Sequence, residues 1–166
     1  MKITTWNVAG LRAMIKKNGF EWIRQSDPDV LCLQEIKTTA EQIAEADRAL
    51  FAPYRACWNP AEKKGYSGTL TLVKDPAVAL STGLGVDRFD HEGRTIQAEF
   101  DEFTLFNLYV PNGGRDLSRV PFKLDFYAAL LNKCNALHAA GRNVIICGDI
   151  NTAHEEIDVD KPKRKT

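Results

Sequence analysis

Asp149 and Asn151 are the residues on which chemistry would most readily be built. They close the stretch N-V-I-I-C-G-D-I-N at 143–151, where Val144 to Cys147 form an unbroken apolar run. A run of that length suits a strand buried on both faces, and Gly148 lets the backbone turn without a Cβ. Residues two apart on a strand face the same side, so the carboxylate and the carboxamide should project together from the strand's end. Such a pair can hold a hard cation or orient a water; Asp and Asn also simply start turns. The pattern recurs. A strand-like stretch at 2–8 carries Asn7, the run V-L-C-L at 30–33 delivers Gln34 and Glu35, and the stretch 103–110 leads through Tyr109 to Asn112. These donors are all oxygens, with no Cys or His cluster beside them. That chemistry suits Mg²⁺, Ca²⁺ or Mn²⁺ and disfavours structural zinc.

Two basic groups flank these candidates. Lys63 and Lys64 adjoin the loop G-Y-S-G at 65–68 with Tyr66 at its tip, and Arg115, Arg119 and Lys123 follow Asn112. Basic residues interleaved with an aromatic suit a phosphate backbone and a sugar or base face. Solvated surface lysines and arginines are the plainer reading of either group taken alone. His154, with Glu155 and Glu156, is read as structural, because Asp149 and Asn151 hold the better position.

The elements that must position these residues follow from pattern. Leu11 to about Gln25 reads as helical with a break at Gly19, ended by Asp27-Pro28. Thr39 and Gln42 have capping-box spacing, opening a short helix whose apolar face is Ile43, Ala46 and Leu50. Strands are expected over 54–58, 69–73, 78–81, 95–100 and 103–110, the last two joined by an acidic turn at Asp101-Glu102. The longest helix should run from about Pro121 to Ala140, with the stripe Phe122, Phe126, Leu130, Cys134 and Leu137, closed by Gly141. Hairpin-like pairs between alternating strands and helices indicate a mixed α/β chain rather than a purely parallel doubly wound sheet.

The 166 residues suffice for one domain with a sizeable core, and 44% are hydrophobic. With 22 basic and 22 acidic residues the formal charge is zero, so any nucleic-acid partner must be met by a local patch. Cys32, Cys57, Cys134 and Cys147 form no C-x-x-C pair and read as reduced thiols. No signal-peptide pattern opens the chain, and no apolar run is long enough to span a membrane. G-L-G at 83–85 lacks the third glycine of a dinucleotide fingerprint.

Six motifs together resemble the exonuclease III family of apurinic/apyrimidinic endonucleases, within the endonuclease/exonuclease/phosphatase superfamily. They are W-N-V-A-G-L-R-A at 6–13, L-Q-E-I-K at 33–37, G-Y-S-G at 65–68, E-G-R at 92–94, Y-V-P-N at 109–112 and G-D-I-N-T-A-H-E-E-I-D at 148–158. The resemblance implies an α/β four-layer sandwich of the DNase I-like type, here lacking C-terminal strands, in a single domain over 1–166. It implies hydrolysis of the phosphodiester 5′ to an abasic site in double-stranded DNA, and allows 3′-5′ exonuclease and 3′-phosphatase activity. The implied cofactor is Mg²⁺ or Mn²⁺, held by Glu35 with Asn7, Asp149 and Asn151 around it. By the same resemblance Asp149 activates the attacking water, Asn151 donates to a phosphoryl oxygen and Tyr109 faces the scissile phosphate. Asn112 holds that phosphate, and Tyr66 and Arg115 match DNA-contacting positions. The place of action would be the cytoplasm of a bacterium or the nucleus of a eukaryote.

The chain departs from the family pattern at Ala9, where some relatives carry a carboxylate or amide, and at Thr4, where some animal relatives carry a reactive cysteine. The family also continues past this length, with further strands, another aspartate and a terminal S-D-H motif. A C-terminal completing segment is therefore an expected partner. Two other readings stay open: a non-catalytic DNA- or protein-binding fragment, and a superfamily phosphatase acting on phospholipid or inositol phosphate.

Overall fold

The computed structural model describes residues 1–159; the basic tail K-P-K-R-K-T at 161–166 lies outside them. Eight strands form two four-stranded sheets. In the first, β1 (Ile3–Asn7), β2 (Val30–Gln34), β3 (Arg55–Asn59) and β4 (Thr69–Val73) lie in the order β1-β2-β4-β3. In the second, β5 (Ala79–Thr82), β6 (Thr95–Glu99), β7 (Phe103–Tyr109) and β8 (Asn143–Asp149) lie in sequence order. β1 is parallel to β2, and β7 is parallel to β8. The other pairings are antiparallel.

Three apolar layers separate and flank the sheets. Leu31, Leu33, Leu70 and Leu72 on one face of the first sheet pack on α1 (Leu11–Lys16) and α2 (Glu21–Ser26) through Leu11, Ile15 and Ile23. Val30, Cys32, Val73, Ala98 and Leu105 fill the space between the sheets. Phe106, Leu108 and Val110 face Phe126 and Leu130 of the helix Val120–Ala139, which is α5 below. Helix, sheet, sheet, helix is the expected four-layer order.

Several local signals act as read. Gly19 divides the first helical stretch, where a Cβ would meet Met14 Sδ at 2.5 Å. Thr39 and Gln42 form their capping box, over a 3-10 turn at Ala40–Gln42 rather than the first turn of the expected short helix. α3 then spans only Glu45–Arg48, and α4 spans Asp87–Asp90. Ala46, expected on the apolar face of α3, is exposed, and Phe51 is buried instead. Gly141 ends α5 at φ +78°, its N–H donating to His138 and that of Arg142 to Leu137, a Schellman closure.

The expectation for β8 is overturned. Among the described residues it is an edge strand, paired on one side only, and Ile145 and Ile146 are 40% and 46% exposed. An apolar run reports that burial is favourable, not that a neighbour is present to provide it. β1 is the edge of the other sheet at the same end of the sandwich. Thr5, whose hydroxyl accepts from the inter-sheet Gln34, is exposed as well. Among the described residues nothing pairs with either sheet there, and the layer between them is open.

Strand alternation sorts the inward-facing residues into a polarity gradient. At one end lie Ile3, Val30 and Phe103, the last beside Asn143 at the start of β8; further along come Thr5, Cys32, Leu105 and Ile145; the far end carries Asn7, Gln34, Asn107 beside Cys147, and Tyr109 beside Asp149. The site forms at that polar end.

Candidate active site

Asn7 joins the two sheets. Its Nδ2 donates to Asp149 Oδ2 at 2.7 Å and to Glu35 Oε1 at 3.2 Å. One carboxamide thus bridges two carboxylates from opposite sheets, while its Oδ1 accepts from the Ala9 N–H at 2.9 Å. Tyr109 donates its hydroxyl to Glu35 Oε1 at 2.7 Å, and Lys37 pairs with Glu35 Oε2 at 2.8 Å. Ala9, Glu35 and Lys37 adopt left-handed φ values of 47°, 53° and 52°. Such strain in non-glycine residues persists only where the surroundings over-determine it.

Asp149 and Asn151 converge, but not by strand alternation. Asn151 lies beyond β8 with φ 53°. Its N–H donates to Asp149 Oδ1 at 2.9 Å and its Nδ2 to the Val110 carbonyl at 2.8 Å. The turn-forming habit of Asp and the strand-end placement coexist, since one carboxylate oxygen shapes the turn and the other faces Asn7. Gly148 does not turn the chain there. It sits inside β8 at φ +123°, where a Cβ would come 2.0 Å from the Leu108 carbonyl oxygen.

A buried amide network supports this rim. Gln34 Nε2 donates to Asn107 Oδ1 at 2.7 Å and to Thr5 Oγ1 at 3.0 Å. Asn107 Nδ2 donates to Leu70 O at 3.1 Å and Thr71 Oγ1 at 3.0 Å. These satisfied polar groups fix the spacing of the sheets directly behind the site. Sequence reasoning misses Asn107; the available signal is one amide inside the apolar strand T-L-F-N-L-Y.

It misses Arg94 too, although that residue sits in the E-G-R motif. Only 2% exposed, Arg94 donates Nε to Glu92 at 2.5 Å, one terminal nitrogen to the Tyr109 carbonyl at 3.0 Å and the other to the Tyr66 hydroxyl at 2.9 Å. Its guanidinium lies 4.7 Å from the Tyr109 ring centroid. Arg119 closes the cluster, donating to Tyr66 at 2.8 Å and to Glu92 at 2.8 and 3.0 Å. Tyr66 is therefore not a free loop tip. Asn112 and Arg115 stand apart: both are exposed, and Asn112 Oδ1 accepts from the Gly114 N–H at 3.1 Å. His154 is exposed.

The electrostatics separate an acid from a base form. Burial pushes the Glu35 carboxyl up, but hydrogen bonds from Lys37, Tyr109 and Asn7 outweigh it and hold the group below the usual range. Burial, followed by the bond to Glu35, pushes the Tyr109 phenol well above its ordinary value. Glu35 is thus an anion at neutral pH and Tyr109 a neutral donor. No group of three His, Cys, Asp or Glu side chains gathers among the described residues. Two carboxylates and an amide suit a cation that keeps much of its hydration shell, such as Mg²⁺, better than one needing a full protein cage.

Residues 4–166 match the profile of the Endonuclease/Exonuclease/phosphatase family. The chain is 45% identical over 169 residues to the DNA repair nuclease APEX1 of Danio rerio, covering 98% of this chain and 53% of that protein. It is 39% identical to an exodeoxyribonuclease of Bacillus subtilis (strain 168), covering 98% and 63% respectively. Its length is thus about half to under two thirds of these curated relatives. Among solved structures, an AP endonuclease from Archaeoglobus fulgidus superposes with TM-score 0.78 at 29% identity, covering 98% of this chain and 62% of that one. A 3′ phosphatase from Neisseria, bound to a product DNA hairpin, superposes with TM-score 0.75 at 25% identity, covering 94% and 60%. With Asn7, Glu35, Tyr109 and Asp149 meeting on a four-layer sandwich, and nearly the whole chain matched, this protein belongs to the endonuclease/exonuclease/phosphatase family.

Proposed function

We propose that the chain carries the greater part of a DNA-repair phosphodiesterase site that cleaves 5′ to an abasic site in duplex DNA. The 3′-5′ exonuclease and 3′-phosphatase reactions are further outcomes of the same chemistry. The observation that carries this reading is the Asn7 bridge between Asp149 and Glu35, with Tyr109 on Glu35. The sequence relatives supply the substrate class.

Glu35 is the proposed ligand of Mg²⁺ or Mn²⁺, with Asn7, Asp149 and Asn151 placed around it. A divalent cation bound there would neutralise charge on a phosphoryl oxygen and ease ionisation of water. Asp149 orients and accepts a proton from the attacking water, with Asn7 fixing its second oxygen. Asn151 has one amide N–H on Val110, and its second is available to a phosphoryl oxygen as charge builds. Tyr109, kept protonated, donates toward the same centre. Hydrolysis of a phosphodiester is largely positioning and charge stabilisation, which such a rim supplies.

Asn112 and Arg115, both exposed, are proposed contacts to the DNA backbone. Tyr66 presents its ring while its hydroxyl is held by Arg94 and Arg119. The domain is proposed to span 1–166 and to be completed by a further C-terminal segment against the open β1 and β8 edges. The test is single-turnover cleavage of an abasic-site duplex in Mg²⁺, with that C-terminal portion of a relative supplied. Cleavage 5′ to the lesion is expected; salt-dependent binding without cleavage would leave a DNA-binding role in its place.

A further inference from the structure

The loop that carries Asn151 is held from α5 by two side chains one helical turn apart. Lys123 donates its Nζ to the Asn151 carbonyl at 2.5 Å. Tyr127 donates its hydroxyl to the Ile150 carbonyl at 2.8 Å and lies 2.9 Å from Thr152 Oγ1. Residues i and i+4 share a helix face, and Lys123 Nζ sits 5.9 Å from the Tyr127 ring centroid. Three consecutive loop residues are therefore tied to one rigid 20-residue helix. The restraint falls on the residue that needs it, because Asn151 holds φ 53°. An asparagine tolerates that conformation without being confined to it.

The other ties on Asn151 leave a role for this one. Asp149 Oδ1 holds its N–H and Val110 holds its Nδ2, so β7 and β8 fix the near side of the turn. Among the described residues only α5 donates to its carbonyl. Among the described residues Lys123 makes no ion pair, which leaves its contact with Asn151 as a charge-assisted bond to a backbone carbonyl.

We propose that Lys123 and Tyr127 form a clamp that positions Asn151, so that α5 sets the direction of its free amide N–H. Both are positioning residues. Their functional consequence rests on the reading that Asn151 serves the chemical step, whereas the clamp itself does not. Lys123→Met keeps the aliphatic stem and removes the donor; Tyr127→Phe keeps the ring and removes the hydroxyl; Lys123→Arg restores a cationic donor.

The experiment has two arms. Hydrogen exchange on the 166-residue chain reads the clamp through opening of the loop, since the Asn151 N–H itself donates to Asp149. Lys123→Met should speed exchange at the Asn151 amide by about tenfold, the scale of one charged hydrogen bond, with amides at the centre of α5 unchanged. Tyr127→Phe should act in the same direction, and Lys123→Arg should restore protection. Unchanged protection at Asn151 in both deletion variants overturns the clamp. The second arm measures abasic-site cleavage and DNA affinity with the C-terminal portion supplied. Lys123→Met should lower kcat about tenfold and leave Kd and its salt slope unchanged, and Lys123→Arg should recover the rate. A weaker Kd with a salt slope smaller by about one would make Lys123 a phosphate contact and overturn the positioning role. Loosened exchange with no cleavage by the unsubstituted protein would keep the clamp and defeat the nuclease reading instead.

Discussion

Glu35 is the residue on which metal dependence should rest. It is the one carboxylate that receives Lys37, Tyr109 and Asn7 together, and it is held as an anion. In the completed enzyme, Glu35→Ala should cut cleavage sharply, and raising Mg²⁺ should recover part of it; unchanged activity at limiting Mg²⁺ would remove Glu35 from the metal site. Asn151→Ala should lower kcat by about 10²-fold, the scale of one lost oxyanion donor. Its Kd for DNA should hardly move, and a Kd effect with kcat intact would make Asn151 a binding residue. Glu92 is a structural counterpart. Burial pushes its carboxyl up, yet the charge of Arg94 and hydrogen bonds from Arg94 and Arg119 bring it below the ordinary range. Glu35 and Glu92 therefore both titrate lower in the folded than in the unfolded chain. Their stabilisation is complete above the ordinary carboxyl pKa of about 4.3 and drains as pH falls through their folded-state values. Glu92→Gln leaves the buried Arg94 without its counter-charge and should cost about 2 kcal/mol or more at neutral pH. Urea unfolding between neutral and acid pH should show that loss and a flatter acid limb in the variant.

At the scale of elements, β8 is where sequence and structure part. Its position and its polar end are legible in the residues, and so are Asn7, Glu35 and Tyr109 at the ends of their own strands. Its exposure is not. Val144 to Cys147 read alike whether a neighbour covers them or not, because period and composition describe one strand and not its partner. Asn107 is hidden for a related reason: its partners lie on strands distant in sequence, so its role cannot be read from its neighbours. Arg94 bonds Glu92 within its own motif, but its burial depends on Tyr66 and Tyr109, both distant in sequence. Strand alternation points to the Asp149–Asn151 convergence, although a left-handed turn produces it. Gly148 likewise acts by close approach to β7. Gly148→Ala should destabilise the chain by about 1–3 kcal/mol, since the backbone there is strained for any other residue and the Leu108 carbonyl occupies the space. Thermal unfolding measures this, and a shift below the error of replicate melts would contradict the backbone approach. The open strand edge has its own consequence. Ile146 is 46% exposed on an unpaired edge, which invites pairing with another chain. Concentration-dependent association of the 166-residue chain in sedimentation is expected, and Ile146→Lys should reduce it.

The molecule as a whole places its chemistry at one end of an inter-sheet layer that runs from apolar to polar, beside the end at which both sheets are open. Among the described residues no helix is long and apolar enough to cross a membrane. On the proposed reading, Asn7, Glu35, Tyr109, Asp149 and Asn151 would supply a metal position, a water position and donors. Groups acting as a unit are strongly non-additive, so an incomplete set can lose most of the catalysis. The central claim is that this rim is a nuclease site which a further segment completes. The most direct measurement is cleavage of an abasic-site duplex in Mg²⁺ by the purified 166-residue chain, with and without the C-terminal portion of a relative added in trans. Little or no cleavage by the chain alone and cleavage 5′ to the lesion on addition are expected. Robust multiple-turnover cleavage by the chain alone as a monodisperse monomer would contradict the claim.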